Sequence, residues 1–135
     1  IAASKVLASG LVDLGVFDIT IEEALGDQLD PDGPIRNFFM HGTGHLLGLD
    51  VHDVGGGRKG DKNPGPTLEP GMVLTVEPGL YFGSWRNDID VPERYSGIGI
   101  RIEDDVLITD NGPEVLTAEV PKSIEEIEEL VGSGV

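Results

Sequence analysis

All three histidines of the chain, His41, His45 and His52, lie in the fifteen-residue segment HGTGHLLGLDVHDVG. Imidazole binds metals and exchanges protons near neutral pH, so this cluster suggests a metal or acid–base site. His41 and His45 have the spacing of the two ligands in a zinc-binding HExxH helix. The residues between them are Gly-Thr-Gly, with no glutamate, and glycine disfavours a helix. We therefore exclude the helical motif. Two interpretations stay open: polar loop histidines, or a cleft in which irregular backbone brings the imidazoles together.

Carboxylates and an arginine follow in two strand-like segments. In MVLTVEPG, alternation along a strand puts Glu77 at the strand end, where Pro-Gly breaks the pairing. In GIGIRIE, alternation directs three isoleucines to the core: Ile98, Ile100 and Ile102. The opposite face then carries Arg101 and Glu103 beside Gly99, which leaves room for another group. The ordinary alternatives are a solvated strand end for Glu77 and a surface ion pair for Arg101 with Glu103.

These residues together match the needs of a metal centre. Imidazole nitrogens and carboxylate oxygens on separate rigid elements are the ligands that Mn²⁺, Co²⁺ or Zn²⁺ requires. A neighbouring arginine can orient a ligating carboxylate. The sequence has no cysteine, so no thiolate ligand or disulfide is available.

Composition limits the class of protein and its partners. A length of 135 residues with 39% hydrophobic and 25% charged residues indicates one globular domain. The net charge of −16 argues against nucleic acid as a partner, because phosphate binding needs a basic face. No apolar run is long enough to cross a membrane. The missing cysteines fit a cytoplasmic location, and Ile1 at the first position suggests a fragment or a processed product.

The helices and strands that must position these residues can be predicted from hydrophobic spacing, capping boxes, glycines and prolines. Residues 1–14 have helical spacing and a stop at Gly15. Thr20 and Glu23 form a capping box for a short helix that ends at Gly26. We predict a turn over DPDGP, 30–34, and a strand over IRNFFM, 35–40. Residues 53–71 are rich in glycine and proline and are predicted to form a loop.

Strands and a last helix complete the prediction. MVLTVE, 72–77, and GIGIRIEDDVLIT, 97–109, are strands, and Asp110 to Pro113 turn the chain into EVLT, 114–117. Ser123 and Glu126 form a second capping box for a helix that ends at Gly132. Its apolar stripe consists of Ile124, Ile127, Leu130 and Val131. The predicted class is α+β, with helices at both ends of a mostly antiparallel sheet.

Three segments resemble the C-terminal signatures of the pita-bread metallopeptidases: FMHGTGHLLGLDVHDVG, EPGMVLTVEPGLYF and GIGIRIEDDVLIT. The nearest branch is the proline-specific one, aminopeptidase P and prolidase. The short stretch VPERYSGIGIRIEDD is more similar to aminopeptidase P. The resemblance covers residues 1–131 and implies the C-terminal portion of the pita-bread fold, with 1–135 as the C-terminal part of a single catalytic domain.

The resemblance also implies a site and a reaction. His45, Glu77 and Glu103 match metal ligands for two divalent ions, usually Mn²⁺, and Glu77 also matches the proton acceptor. His41 and His52 match histidines that contact the substrate and stabilise the tetrahedral intermediate, and Arg101 matches an arginine behind the ligands. The implied reaction is attack by a metal-activated hydroxide on the carbonyl before a proline at the second position of a peptide.

Two further ligands of the family are aspartates that precede these segments. Asp13 and Asp18 lie at a predicted helix end and the following turn, so they do not match them. We therefore expect a chain with three of five ligands, inactive alone, from a parent aminopeptidase that forms a homo-oligomer. The alternatives are a prolidase-type dipeptidase, a pita-bread domain used only for binding, and a metal-free relative of the creatinase type. The two glutamates argue against the last two.

Overall fold

The computed structural model describes residues 1–27, 32–55 and 67–132. Its α-helices are α1 (Ala2–Asp13), α2 (Ile21–Leu25) and α3 (Ile124–Gly132). Short 3₁₀ turns span Pro34–Asn37 and Glu93–Tyr95. The strands are β1 (Leu46–Leu47), β2 (Val73–Val76), β3 (Gly79–Tyr81), β4 (Gly99–Arg101), β5 (Asp104–Thr109) and β6 (Gly112–Val115).

The strands form two antiparallel sheets. The larger sheet has the order β1-β2-β5-β6, and the smaller one pairs β3 with β4. In the smaller sheet Gly79 lies opposite Arg101, and Tyr81 lies opposite Gly99. Since β2 and β3 are consecutive along the chain, as are β4 and β5, the two sheets adjoin at residues 77–78 and 102–103. The predicted α+β class with a mostly antiparallel sheet is confirmed.

Both helix starts at capping boxes are confirmed. The Thr20 hydroxyl accepts a hydrogen bond from the Glu23 amide, and the Glu23 carboxylate accepts one from the Thr20 amide. Ser123 and Glu126 make the equivalent pair before α3. The stop after α1 is confirmed as well, because Gly15 has a φ of 67°, a conformation that favours glycine. The predicted stripe on α3 covers no core: its four members are 42–77% exposed.

The core lies between the helices and the segment that follows α2. Its fully or nearly buried members are Ala8, Leu11, Ala24, Leu25, Ile35, Phe38, Phe39 and Phe82. The predicted strand over 35–40 is wrong. Pro34 starts a 3₁₀ turn, whose φ the proline ring favours, and Phe38 and Phe39 are both buried, which an alternating strand with one solvent face does not permit.

The strand predicted over 97–109 is two strands. β4 pairs with β3 and β5 with β2, so the chain changes sheets at Ile102 and Glu103. The predicted core position of the isoleucines is also wrong: Ile98, Ile100 and Ile102 are 44%, 61% and 45% exposed. They line an open apolar groove instead, because no described element covers that face of the small sheet. Arg101, on the other face, points towards the candidate site.

Two further predictions are confirmed, and two others fall partly outside the described residues. The strand over 72–77 is confirmed by β2, and the hairpin at Asp110 is confirmed, with β6 beginning at Gly112 rather than at Glu114. Residues 30–31 of the predicted turn and 56–66 of the predicted loop lie outside the described residues. Within the described ranges, no helix is long and apolar enough to cross a membrane.

Candidate functional site

The histidine segment is attached to the larger sheet beyond β1. The Thr75 amide donates to the His45 carbonyl at 2.9 Å, and the Glu77 amide donates to the Thr43 carbonyl at 2.7 Å. The histidine segment and β2 approach each other so closely at Gly44 that a β-carbon there would collide with the Thr75 carbonyl oxygen. Gly44, one of the two glycines that disfavour a helix between the histidines, therefore lets this segment lie against β2.

His45 and Glu77 meet side by side as a result. Nε2 of His45 is 3.2 Å from Oε1 of Glu77, and Glu77 is only 7% exposed. Thr75 fixes both residues: its hydroxyl oxygen accepts from the His45 amide at 3.0 Å, and its hydroxyl donates to Oε1 of Glu77 at 3.0 Å. Nδ1 of His45 lies 3.0 Å from the Leu46 carbonyl, which can only accept, so the proton sits on Nδ1.

This pair fits the needs of a bound cation. With Nδ1 protonated, a neutral His45 ring directs the Nε2 lone pair at a carboxylate oxygen, and the two lone pairs repel unless a proton or a cation is shared between them. Metal–ligand bonds of about 2.0–2.2 Å put neighbouring ligand atoms of one ion roughly 3.0–3.4 Å apart. The observed 3.2 Å between Nε2 and Oε1 agrees with that spacing.

Arg101 holds the other side of the Glu77 carboxylate. Its Nη1 is 3.3 Å from Oε2 of Glu77, and its Nε donates to the Tyr81 hydroxyl at 2.7 Å. The hydrogen bond to Tyr81 is the main cause that raises the pKa of the Arg101 guanidinium, and the charges of Glu77 and Glu103 add to it. Arg101 therefore presents a permanent positive charge to a nearly buried carboxylate.

His41 lies beyond Tyr81 in the same row of groups. Its Nε2 is 3.0 Å from the Tyr81 hydroxyl, and its Nδ1 is 2.7 Å from the Gly42 carbonyl. The ring packs edge-on against Phe39 and Tyr81, with centroid distances of 5.0 Å and 5.4 Å. Arg36 secures the backbone here by donating to the His41 carbonyl at 3.2 Å. Both ring nitrogens of His41 are therefore engaged.

His52 stands next to the His45 ring but is held less tightly. The two ring centroids are 4.3 Å apart and the rings are nearly perpendicular, at 87°. His52 is exposed, and its ring nitrogens make no hydrogen bond within the residues that the structure describes. Among the described residues it is the one histidine of the three whose ring nitrogens have no hydrogen-bond partner.

Glu103 is the predicted site residue that does not join the others. It is exposed at the break between β4 and β5, where it acts on Arg101 through its charge. Among residues 1–27, 32–55 and 67–132 no three His, Asp or Glu side chains are arranged to hold a metal ion. The structure brings together five of the six predicted residues, at His41, His45, His52, Glu77 and Arg101, and leaves Glu103 at their edge.

Sequence analysis missed Thr75 and Tyr81. A signal for both was present, because Thr75, Glu77, Gly79 and Tyr81 follow one another at every second position and so share one face. The prediction ended the strand at Pro78-Gly79, and this hid the continuation into β3. The pairing of β3 with β4 then places Tyr81 beside Arg101.

A nearly buried carboxylate beside an imidazole nitrogen, with an arginine on its second oxygen, is an arrangement that a divalent metal centre can use. Comparison with known proteins specifies the class. The model of metallopeptidase family M24 matches residues 2–110, and the chain belongs to that family. Its fold is part of the pita-bread fold, as the resemblance predicted.

Relatives of known activity are similar over nearly the whole chain. Xaa-Pro aminopeptidase of Escherichia coli K12 is 51% identical over 127 residues, which are 94% of this chain and 26% of that protein. Xaa-Pro aminopeptidase 1 of Streptomyces coelicolor is 48% identical over 132 residues, which are 98% of this chain and 25% of that protein. The chain spans about a quarter of the length of these relatives.

Solved structures agree with this assignment. Escherichia coli aminopeptidase P with the inhibitor Pro-Leu superimposes with a TM-score of 0.77 at 50% identity, over 96% of this chain and 27% of that one. Proline aminopeptidase P II from Yersinia pestis gives the same values. A zinc-substituted form of the E. coli enzyme is also among the matches. Divalent metal ions are therefore implied by the family.

Proposed function

We propose that this chain forms the C-terminal part of the catalytic domain of a metal-dependent Xaa-Pro aminopeptidase. The observation that carries the proposal is the contact of His45 Nε2 with Glu77 Oε1, with Arg101 on the second carboxylate oxygen. The similarity to Xaa-Pro aminopeptidases over more than nine tenths of the chain supports the substrate class: peptides with proline in the second position. Those relatives are about four times longer than the chain, so the proposed activity is that of a protein of their length.

His45, Glu77 and Glu103 are the residues that would hold the metal. One imidazole nitrogen with carboxylate oxygens suits Mn²⁺, Co²⁺ or Zn²⁺, and we propose Mn²⁺ as the native ion. Divalent ions bound there would supply a water of lowered pKa, so that hydroxide would be available near neutral pH. The proposal requires Glu103 to turn from solvent towards Glu77, a movement of one exposed side chain at the break between two strands.

The residues of the chain would divide the remaining work. Glu77 accepts the proton of the attacking water and returns it to the leaving proline nitrogen. Arg101 keeps that carboxylate in place through the contact of Nη1 with Oε2 of Glu77 at 3.3 Å. His52, whose ring nitrogens make no hydrogen bond within the described residues, would donate to the oxyanion of the tetrahedral intermediate, a contribution of about 3 kcal/mol for one well-placed donor. His41 contacts the substrate.

Two other functions make different predictions. A prolidase-type dipeptidase would prefer Xaa-Pro dipeptides to longer peptides. A non-catalytic binding module would hold peptide without cleaving it. The nearly buried, paired state of Glu77 favours a catalytic site over a binding module, because a binding surface has no need of a desolvated base.

The test is peptide hydrolysis by the full-length protein loaded with Mn²⁺. The substrates are an Xaa-Pro tripeptide, the matched Xaa-Ala tripeptide and an Xaa-Pro dipeptide. The proposal predicts cleavage of the Xaa-Pro tripeptide at the bond before proline, and a loss of at least about 100-fold in kcat for Glu77→Gln, which keeps the shape but not the base. A preference for the dipeptide would establish the prolidase type. Binding without cleavage would establish the binding module.

A cytoplasmic location is also proposed. A chain without cysteine gains nothing from an oxidising compartment. Fractionation of cells that produce the full-length protein tests this, with activity in the periplasmic or extracellular fraction as the contrary result.

A further inference from the structure

The Tyr81 hydroxyl lies between the two parts of the candidate site. Arg101 Nε is 2.7 Å away and His41 Nε2 is 3.0 Å away. Arg101 in turn is 3.3 Å from Glu77 through Nη1. A continuous row of polar contacts therefore runs from the Glu77 carboxylate through Arg101 and Tyr81 to the His41 ring.

The direction of each hydrogen bond follows from the groups at the two ends. Arg101 can only donate, so the Tyr81 oxygen accepts from it. The Gly42 carbonyl can only accept, so Nδ1 of His41 carries a proton towards it, at 2.7 Å. In the neutral ring Nε2 is then the acceptor, and the Tyr81 proton is donated to it. Hydrogen-bond donation therefore runs in one direction along the row: Arg101 donates to Tyr81, Tyr81 to His41, and His41 to the Gly42 carbonyl.

Two glycines provide the space for the Tyr81 ring. A β-carbon at Gly99 would lie 3.0 Å from Cδ1 of Tyr81, and one at Gly79 would lie 2.7 Å from its hydroxyl oxygen. Gly99 lies directly opposite Tyr81 in the small sheet, and Gly79 lies two residues before it on the same strand. Real β-carbons essentially never approach as closely as 2.7 Å, and a contact of 3.0 Å is tighter than most and would displace the ring. The Tyr81 ring therefore occupies a slot that the two glycines leave open. This slot is the space that the alternation in GIGIRIE predicted beside Arg101.

We infer that Tyr81 is a positioning residue, which holds the neutral His41 ring in the Nδ1–H tautomer and ties its orientation to the Arg101–Glu77 pair. In this arrangement His41 has no free ring proton for a substrate oxygen, whereas His52 does. This role assigns different tasks to the two non-ligand histidines of the proposed aminopeptidase. Only its expected effect on catalysis rests on the proposed function. The tautomer itself is a property of the chain without substrate.

The first test is ¹⁵N NMR of the histidine rings in the 135-residue chain, at a pH above the imidazole titration. Protonated and unprotonated ring nitrogens have well-separated ¹⁵N shifts, and imidazole free in water favours the Nε2–H form. We expect His41 in the Nδ1–H form. In Tyr81→Phe the Nε2–H fraction should rise roughly five- to tenfold, the factor that the loss of one hydrogen bond gives. His41 in the Nε2–H form in the unaltered chain would overturn the inference.

Tyr95 is the matched control, because it is the other tyrosine of the chain. Its ring packs on Phe82 and its hydroxyl makes no hydrogen bond within the described residues. Tyr95→Phe should leave the His41 tautomer unchanged; an equal change in both variants would mean a general loosening and would contradict the inference. If Tyr81→Phe does not fold, Gly99→Ala displaces the same ring while it keeps the hydroxyl. It should raise the Nε2–H fraction in the same direction, and an unchanged tautomer would count against the inference.

The second test is a double-mutant cycle in the full-length enzyme. If Tyr81 acts through His41, Tyr81→Phe lowers kcat/KM in the unaltered enzyme but has no further effect in a His41→Ala background. Equal effects in both backgrounds would show that Tyr81 acts independently and would overturn the positioning role. A protein without peptidase activity in every form would refute the proposed function alone, because the NMR result does not depend on activity.

Discussion

The three histidines differ in their hydrogen bonds, and these differences assign their tasks. His45 has Nδ1 occupied by a backbone carbonyl and Nε2 directed at Glu77, and His41 has both nitrogens engaged. His52 makes no ring hydrogen bond within the described residues. Spacing alone does not distinguish the roles of the three histidines, because it does not show the direction of each ring lone pair. The partner that separates His41 from the others, Tyr81, comes from a strand forty residues later.

Thr75 is the residue on which the His45–Glu77 contact depends most. Thr75→Val keeps the shape and the strand preference but removes the acceptor of the His45 amide and the donor to Glu77. Because Thr75 is buried, those two groups lose their partners without gaining water, and we expect a loss of about 1–3 kcal/mol in the free energy of unfolding. Urea denaturation measures it. Thr75→Ser keeps both bonds and should retain most of that stability, whereas a Thr75→Val chain as stable as the unaltered one would show that the bonds contribute nothing.

Among the helices and strands, the helix ends were predicted correctly from neighbouring residues, whereas the pairing of the strands was not predicted. Both capping boxes and the stop at Gly15 depend on residues within a few positions, so sequence identified them. The segment over 97–109 has one continuous apolar pattern, yet it divides between two sheets. The division depends on β2 and β3, whose places no local pattern gives. The strand wrongly predicted over 35–40 failed similarly, because aromatic residues favour strands unless tertiary packing buries both faces.

The close approach of the histidine segment to β2 predicts a sharp effect of one methyl group. Gly44→Ala places a β-carbon against the Thr75 carbonyl, so the segment must move and the free energy of unfolding should fall by about 2 kcal/mol or more. Gly10→Ala is the control: its β-carbon meets nothing within 4 Å in α1, and helix propensity should raise stability by up to about 1 kcal/mol. Equal effects of the two changes in urea denaturation would contradict the described packing.

The capping box of α2 predicts part of the acid sensitivity. Hydrogen bonds from the Thr20 amide and hydroxyl lower the pKa of Glu23 below its ordinary value of 4.5. A carboxyl with a lower pKa when folded adds stability above its unfolded pKa and loses it as the pH falls through the folded pKa. Glu23→Gln keeps the cap without the titration, so unfolding followed from pH 6 to pH 2 should show a weaker loss of stability below about pH 4.5. Glu22→Gln, on the same helix turn but outside the box, should leave the pH dependence unchanged; equal curves for both variants would contradict this account.

At the scale of the whole molecule, strong charge and an open apolar face coexist. The net charge of −16 opposes association, whereas the groove on the small sheet, of about 340 Å³, favours it. Its walls are formed by Leu14, Leu80, Phe82, Ile98, Ile100 and Ile102. Alternation predicted that these isoleucines share a face, but not that the described chain leaves the face open. The chain spans about a quarter of the length of the relatives that it matches.

The open groove predicts that the 135-residue chain self-associates through this face. Ile100 is 61% exposed in the groove, and Ile100→Asp should shift the chain towards monomer by adding a charge to an apolar contact. Val120→Asp, at 53% exposure outside the groove, is the control and should leave the association unchanged. Sedimentation velocity over a range of concentrations and at raised salt measures this. A monomer at all concentrations, or equal effects of both variants, would contradict the prediction.

We propose that His45 and Glu77 form part of a divalent metal site. Calorimetric titration of the 135-residue chain with Mn²⁺ tests it most directly, beside the variants His45→Ala, Glu77→Gln and, as the control, His41→Ala. With three of the five expected ligands in the chain, we predict weak binding at a single site, abolished in the first two variants and kept in the third. Binding that is unchanged in His45→Ala and Glu77→Gln, or no binding by the unaltered chain, would contradict the account.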